Sequence, residues 1–94
     1  MDYRKYGDTW YIRVDKGEEI ISEILAVCKK EGIGSAIFSG IGGCEKAEIQ
    51  TFLADRREFE TEVVEGMLEL VSLNGNVGQD EDGAYCHHTH ALVS

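Results

Sequence analysis

One stretch of this chain, Glu18 to Gly32, spaces its apolar residues at helical intervals, while the segments around it alternate at period two. Ile20, Ile21, Ile24, Leu25, Val27 and Cys28 form a broad apolar stripe. Asp15 and Glu18 have the spacing of a capping box, with Asp in place of Ser or Thr. Glu18 and Glu19 fall where the helix dipole favours negative charge. Lys29 and Lys30 occupy the last turn, and Gly32 is placed to cap it. A lone amphipathic helix has to bury its stripe against strands, because no second helix is available to pack on it.

The strands follow from the alternation. In Thr9 to Asp15, Trp10, Ile12 and Val14 oppose Tyr11, Arg13 and Asp15. Ser35 to Ser39 predicts a short strand running into a Gly40–Gly43 loop. In residues 45–54, Ala47, Ile49, Thr51 and Leu53 oppose Glu48, Gln50 and Phe52. Asp55-Arg56-Arg57 predicts a turn, Glu58 to Glu65 a strand with one wet face, and Met67 to Leu73 an interior strand. Asn74-Gly75-Asn76 carries a turn or bulge signal, residues 79–83 an acidic loop, and Tyr85 to Val93 a final strand. Short links between successive strands favour antiparallel pairing. The expected fold is α+β, an antiparallel sheet with one main helix packed on a face.

Ninety-four residues suffice for one domain, so residues 1–94 are read as a single domain. A chain this short buries a limited share of its surface, and oligomerisation is a natural way to bury more. The net charge is −9, and the nine basic residues are scattered as Arg4-Lys5, Arg13, Lys16, Lys29-Lys30, Lys46 and Arg56-Arg57. Sequence-independent DNA binding needs Lys and Arg to neutralise phosphates, so the average field argues against DNA, although a local patch in the folded oligomer is compatible with it. Three cysteines without a CxxC pair argue against a disulfide scaffold or zinc ribbon and for a reducing compartment. The N-terminal stretch lacks the apolar core of a signal peptide, and no run is long enough to span a bilayer. A cytoplasmic location is expected.

The candidate chemistry lies on the last strand. His88 and His90 are two apart, so both imidazoles project from one strand face, where they could converge on one zinc ion. Cys86 shares that face and is a third candidate ligand, while His87 points the other way. A stable zinc site needs three or four ligands. Asp80, Glu81, Asp82 or a neighbouring subunit could supply the remainder. The competing reading satisfies these histidines by hydrogen bonds at a subunit interface. Ser39-Gly40-Ile41-Gly42-Gly43 matches neither a dinucleotide nor a P-loop pattern, and a tight turn explains it better. Ser39, Gly40 and Gly42, together with His87, are expected to line a pocket beside the histidine strand. Glu58, Glu60, Glu62 and Glu65 read as a solvated strand face. Trp10 and the tyrosines read as core or interface residues, since base stacking wants nearby cations and only Arg13 is close to Trp10 in the sequence. No catalytic residues are assigned.

Taken in order, residues 11–33, the stretch AIFSGIGGCEKAEIQTF, the stretch GMLELVSLNGNVG and the closing HTHALVS resemble the PPC domain, the module shared by prokaryotic proteins and plant AT-hook proteins. The resemblance covers essentially the whole chain and implies an antiparallel sheet with a helix, assembled as a homotrimer. Prokaryotic members are named as candidate DNA-binding proteins; plant members bind DNA through an AT-hook, which this proline-free chain lacks. The resemblance also implies a metal site at His88 and His90, and family members usually continue into a further segment that carries another histidine. The leading functional expectation is a non-catalytic interaction module. The alternative is a small metal-dependent enzyme or small-molecule sensor built on His88 and His90.

Overall fold

A computed structural model describes residues 1–94, with the side chains of all but Thr51 and Phe52. The part of the 45–54 alternation that rests on those two lies outside the described side chains. The elements are β1 (Asp2–Tyr6), β2 (Thr9–Arg13), α1 (Ile20–Glu31), β3 (Ala36–Leu53), β4 (Glu58–Gln79) and β5 (Tyr85–Val93). They form a two-stranded sheet, β1-β2, and a three-stranded sheet in the order β3-β4-β5. The architecture is α+β, with antiparallel sheets and one short helix. The residues group into two compact units, Met1–Ala36 with Asn76–His87 and Ile37–Gly75 with His88–Ser94.

In the first unit, β1 and β2 pair antiparallel, Asp2 opposite Arg13 and Arg4 opposite Tyr11, around a turn in which Gly7 has φ 61°. Strand β1 is absent from the sequence expectation because its five residues, DYRKY, show no apolar alternation. Its pairing with β2 makes it a strand. Tyr3 packs its ring 5.8 Å from that of Trp10, and its hydroxyl donates to Glu31 of the helix at 2.8 Å.

The helix begins later than a box at Asp15 and Glu18 implies. Glu19 is the N-cap, extended at φ −92°, and its carboxylate accepts from the Ser22 N–H. Half of the expected reciprocity survives, since the Asp15 N–H donates to Glu18 Oε1 at 2.7 Å. The Asp15 carboxylate is drawn elsewhere, accepting from the Met1 ammonium at 2.9 Å and from Arg13 Nε at 3.1 Å. At the other end Gly32 adopts the left-handed conformation, φ 68° and ψ 31°. Its N–H and that of Ile33 both donate to the Cys28 carbonyl, the arrangement of a Schellman-type stop. The Tyr85 hydroxyl donates to the Ile33 carbonyl at 2.9 Å, tying β5 to the helix exit. Val27, Cys28 and Val77 are the buried apolar residues of this unit.

In the second unit the strands are longer than the turn signals suggest. Gly40–Gly43 lies inside β3 and is not a loop. Residues 58–65 and 67–73 belong to one strand, with Gly66 at φ 135° between them, and Asn74-Gly75-Asn76 continues it. Glu69 and Ser94 exchange both backbone hydrogen bonds, at 3.0 and 2.9 Å, as residues of an antiparallel pair do. A Cβ built on Gly40 would touch Leu73, and one built on Gly43 would lie 3.8 Å from the Leu68 carbonyl, so β3 and β4 also run in opposite directions. Leu70 and Leu73 are buried. The acidic loop is a turn of the first unit. Asp80 Oδ1 accepts from the Asp82 and Ala84 N–H groups, both at 2.9 Å, which commits that carboxylate to the turn.

Two glycines test this description. A Cβ at Gly32 would meet nothing within 4 Å, so Gly32→Ala should cost only the left-handed backbone penalty, about 1–2 kcal/mol. A Cβ at Gly75 would lie 2.5 Å from the His88 carbonyl oxygen and 2.5 Å from the Phe38 ring. Gly75→Ala should therefore destabilise by more than Gly32→Ala in urea unfolding. An equal or smaller loss would mean that the strands beside Gly75 part easily.

Candidate functional site

Strand β5 presents His88, His90 and Leu92 to solvent, with Thr89 half-buried between the two histidines. Alternation along the strand puts both imidazoles on one face, and the structure adds how close they come. His88 Nε2 and His90 Nε2 are 3.2 Å apart, with ring centroids at 5.1 Å and ring planes tilted by 57°. With one Nε2 protonated and the other bare, that contact is a hydrogen bond between neutral imidazoles. It is also the spacing two imidazoles take on one tetrahedral zinc, because two Zn–N bonds of about 2.0–2.1 Å place their nitrogens roughly 3.3 Å apart. The pair is thus arranged either to share a proton or to chelate a cation.

The other expected site residues are placed differently. Cys86 and His87 belong to the first unit. Cys86 is exposed, with its Sγ 4.0 Å from where a Gly78 Cβ would stand, and His87 interacts electrostatically with Glu19. Among the described residues, no three of His, Cys, Asp or Glu are grouped to hold a metal ion. Ser39 and Gly40 do line a cavity, an open one of about 340 Å³ shared with Ile41, Ser72, Leu73 and Asn74. It exists because Gly40 offers no side chain opposite Leu73, whose Cδ2 would lie 3.7 Å from a Cβ there. Gly42 is not among its lining residues. Glu58, Glu60 and Glu62 are exposed, as a solvated row should be; Glu65 is exposed too but falls on the opposite phase of β4.

One feature of the second unit escapes the sequence reading. Ile37 is 90% exposed, Ile41 83%, Met67 103% and Leu92 58%, so large apolar side chains stand on its surface. The signal was present in β3. Ala36, Phe38 and Gly40 fill one phase while Ile37 and Ile41 occupy the other, so both faces of the strand carry apolar residues. Treating the glycines as a loop hid it.

An α+β domain with antiparallel sheets, one short helix and a histidine pair on its closing strand is the class these observations define. The profile of the Plants and Prokaryotes Conserved (PCC) domain matches residues 1–94, and the chain belongs to that family. No curated protein matches it. Among solved structures it is similar to a candidate DNA-binding protein from Bacteroides thetaiotaomicron, at 24% identity and a TM-score of 0.91, over 99% of this chain and 64% of that one. It is similar to a metal-containing protein from Archaeoglobus fulgidus, at 29% identity and a TM-score of 0.80, over 88% of this chain and 59% of that one. It is also similar to a plant- and prokaryote-conserved protein from Pyrococcus horikoshii, at 33% identity and a TM-score of 0.68, over 87% and 66% of the two chains. The chain therefore spans less than two thirds of the length of each of these relatives. No helix is long and apolar enough to cross a membrane.

The three thiols differ in environment. Burial pushes the Cys28 thiol up, while Cys86 is exposed and Cys44 half-buried. Thiolate formation and access both govern reactivity. Native protein treated with an aromatic disulfide reagent should lose the Cys86 thiol first and the Cys28 thiol last, with the difference abolished in denaturant. Equal native rates would show that the helix does not shield Cys28.

Proposed function

We propose that this chain is a non-catalytic interaction module that assembles into a homotrimer and holds zinc through His88 and His90. The observation that carries the reading is the 3.2 Å approach of the two Nε2 atoms on an exposed strand face. The Archaeoglobus relative, metal-containing by name, supports it. Two imidazoles are half of a shell, and groups from neighbouring subunits complete it in this reading. Bound zinc supplies a cross-link between the segments that ligate it, and no reaction is assigned to it.

The assembly rests on the exposed apolar residues of the second unit, Ile37, Ile41, Met67 and Leu92. Covering them is a hydrophobic gain that the second unit, with Leu70 and Leu73 as its buried apolar residues among those described, leaves unused. The helix, packed on a sheet face, is then part of a subunit whose other surfaces serve contacts. DNA is the partner named for the Bacteroides relative, and a net charge of −9 opposes binding to a duplex through phosphates. Three free cysteines support a cytoplasmic setting.

Zinc content decides the first half of this reading. Protein stripped with chelator, reloaded and desalted should retain zinc by elemental analysis, and His88→Ala and His90→Ala should each lose it. If the double variant retains stoichiometric zinc, the assignment to this pair is wrong.

Mass decides the second half. Light scattering should give about 31 kDa, three times the 10.4 kDa of one chain. Ile37→Glu combined with Ile41→Glu should reduce it to the monomer mass. A wild-type monomer at working concentration would remove the trimer.

A further inference from the structure

Pairing of β1 with β2 creates a surface that is not visible in the linear sequence. The register sets Arg4 opposite Tyr11, Tyr6 opposite Thr9 and Asp2 opposite Arg13. Residues directly opposite share a face, and alternate residues along each strand share it too. Asp2, Arg4, Tyr6, Thr9, Tyr11 and Arg13 therefore form one face of the hairpin, and all six are exposed. The opposite face carries Tyr3, Trp10 and Ile12, all half-buried, and is linked to the helix through the bond from Tyr3 to Glu31.

The exposed face has two properties of a stacking platform. Tyr6 and Tyr11 are 59% and 63% exposed, with their rings 5.6 Å apart in an edge-to-face arrangement, so both ring systems remain open to a flat ligand. Cations flank them. Among the described residues Arg4 has no carboxylate partner, and Arg13 is held through Nε by Asp15 with the rest of its guanidinium uncommitted to that bond. The charge is local to this region. Residues 1–16 carry four basic and three acidic side chains, whereas the remainder carries five basic and fifteen acidic ones. The hairpin is the positive end of an otherwise acidic chain.

We infer that the outer face of the β1-β2 hairpin binds single-stranded DNA, with unpaired bases stacked on Tyr6 and Tyr11 and the adjoining phosphates met by Arg4 and Arg13. Aromatic side chains beside a few cations hold unpaired bases, because every base has a face to stack. A duplex hides those faces and depends on phosphate contacts alone, and two arginines neutralise too few phosphates to hold it against the rest of this chain. The charge argument against DNA thus applies to duplex binding and leaves unpaired bases open. This inference is independent of the zinc and trimer readings, since its residues lie on neither β5 nor the second unit.

The test titrates a fluorescently labelled oligothymidylate with the full chain at low salt, alongside the same label on a duplex and on an acidic peptide. Saturable binding to the single strand is expected, with the duplex and the peptide at least about tenfold weaker. Tyr11→Ala and Tyr6→Ala should each weaken binding roughly 5- to 150-fold, the range that loss of one stacked base corresponds to. Tyr11→Phe should retain it, which separates stacking from hydrogen bonding and guards against a misfolded variant. Arg4→Gln should weaken binding and flatten its salt dependence. The inference is overturned by absence of binding, by alanine variants that bind as wild type does, by equal affinity for the duplex, or by equal affinity for the acidic peptide. A face already covered by a second copy would also overturn it, and would appear as a fall in mass by light scattering when Tyr6→Glu is combined with Tyr11→Glu.

Discussion

Among the glycines of the second unit, the tightest packing is at the backbone of β4 where it passes Gly75. At that point the Phe38 ring and the His88 carbonyl both come so near that any Cβ would stand 2.5 Å from each. Only a residue without a side chain lets β3 and β5 approach there together. That closeness places His88 on a firmly paired strand, and His90 follows two residues on. Strand geometry gives the histidine pair its shared face, and the 3.2 Å approach of the two Nε2 atoms comes from the way the imidazoles lean toward each other on it.

The distribution of apolar residues gives the fold its second character. Among the described residues five apolar ones are buried, three in the first unit and two in the second, while Ile37, Ile41 and Met67 are nearly or fully exposed. Such a surface on a small acidic chain is expensive to leave in water, and the strands that carry it are regular and long. Charge, too, is distributed differently in the two units. Carboxylates line β4 as Glu58, Glu60 and Glu62, and the hairpin collects Arg4 and Arg13 beside two open tyrosines. A net charge describes neither region well, because charge acts over roughly a Debye length of about 8–10 Å and not over the whole chain.

The helix was legible in the sequence because its signals are local: an apolar stripe, acidic residues before it, two lysines at its end and Gly32 after it. Even there, the cap moved from Asp15 to Glu19, since the Met1 ammonium and Arg13 occupy the Asp15 carboxylate. The long strands were less legible. Gly40–Gly43 and Asn74-Gly75-Asn76 carry turn chemistry, yet both lie within strands. A partner strand supplies hydrogen bonds that local preference cannot foresee, and at Gly75 close neighbours leave no space for a side chain. Of the candidate site, the shared face of His88 and His90 followed from their spacing, whereas their distance did not. Cys86 is on the same phase of the strand but belongs to the first unit.

What the sequence by itself determined is the content of the fold: one helix with its C-terminal stop, a majority of strands, antiparallel pairing through short links, and two histidines on one strand face. These depend on periodicity and on contacts between near neighbours. Tertiary structure alone decided which glycines are crowded and which are turns, that DYRKY is a strand, that Arg4 stands opposite Tyr11, and that two imidazole nitrogens meet at 3.2 Å. Each of those is set by a partner distant in sequence or by the exact register of a strand. A shift of one residue would turn every side chain to the other face.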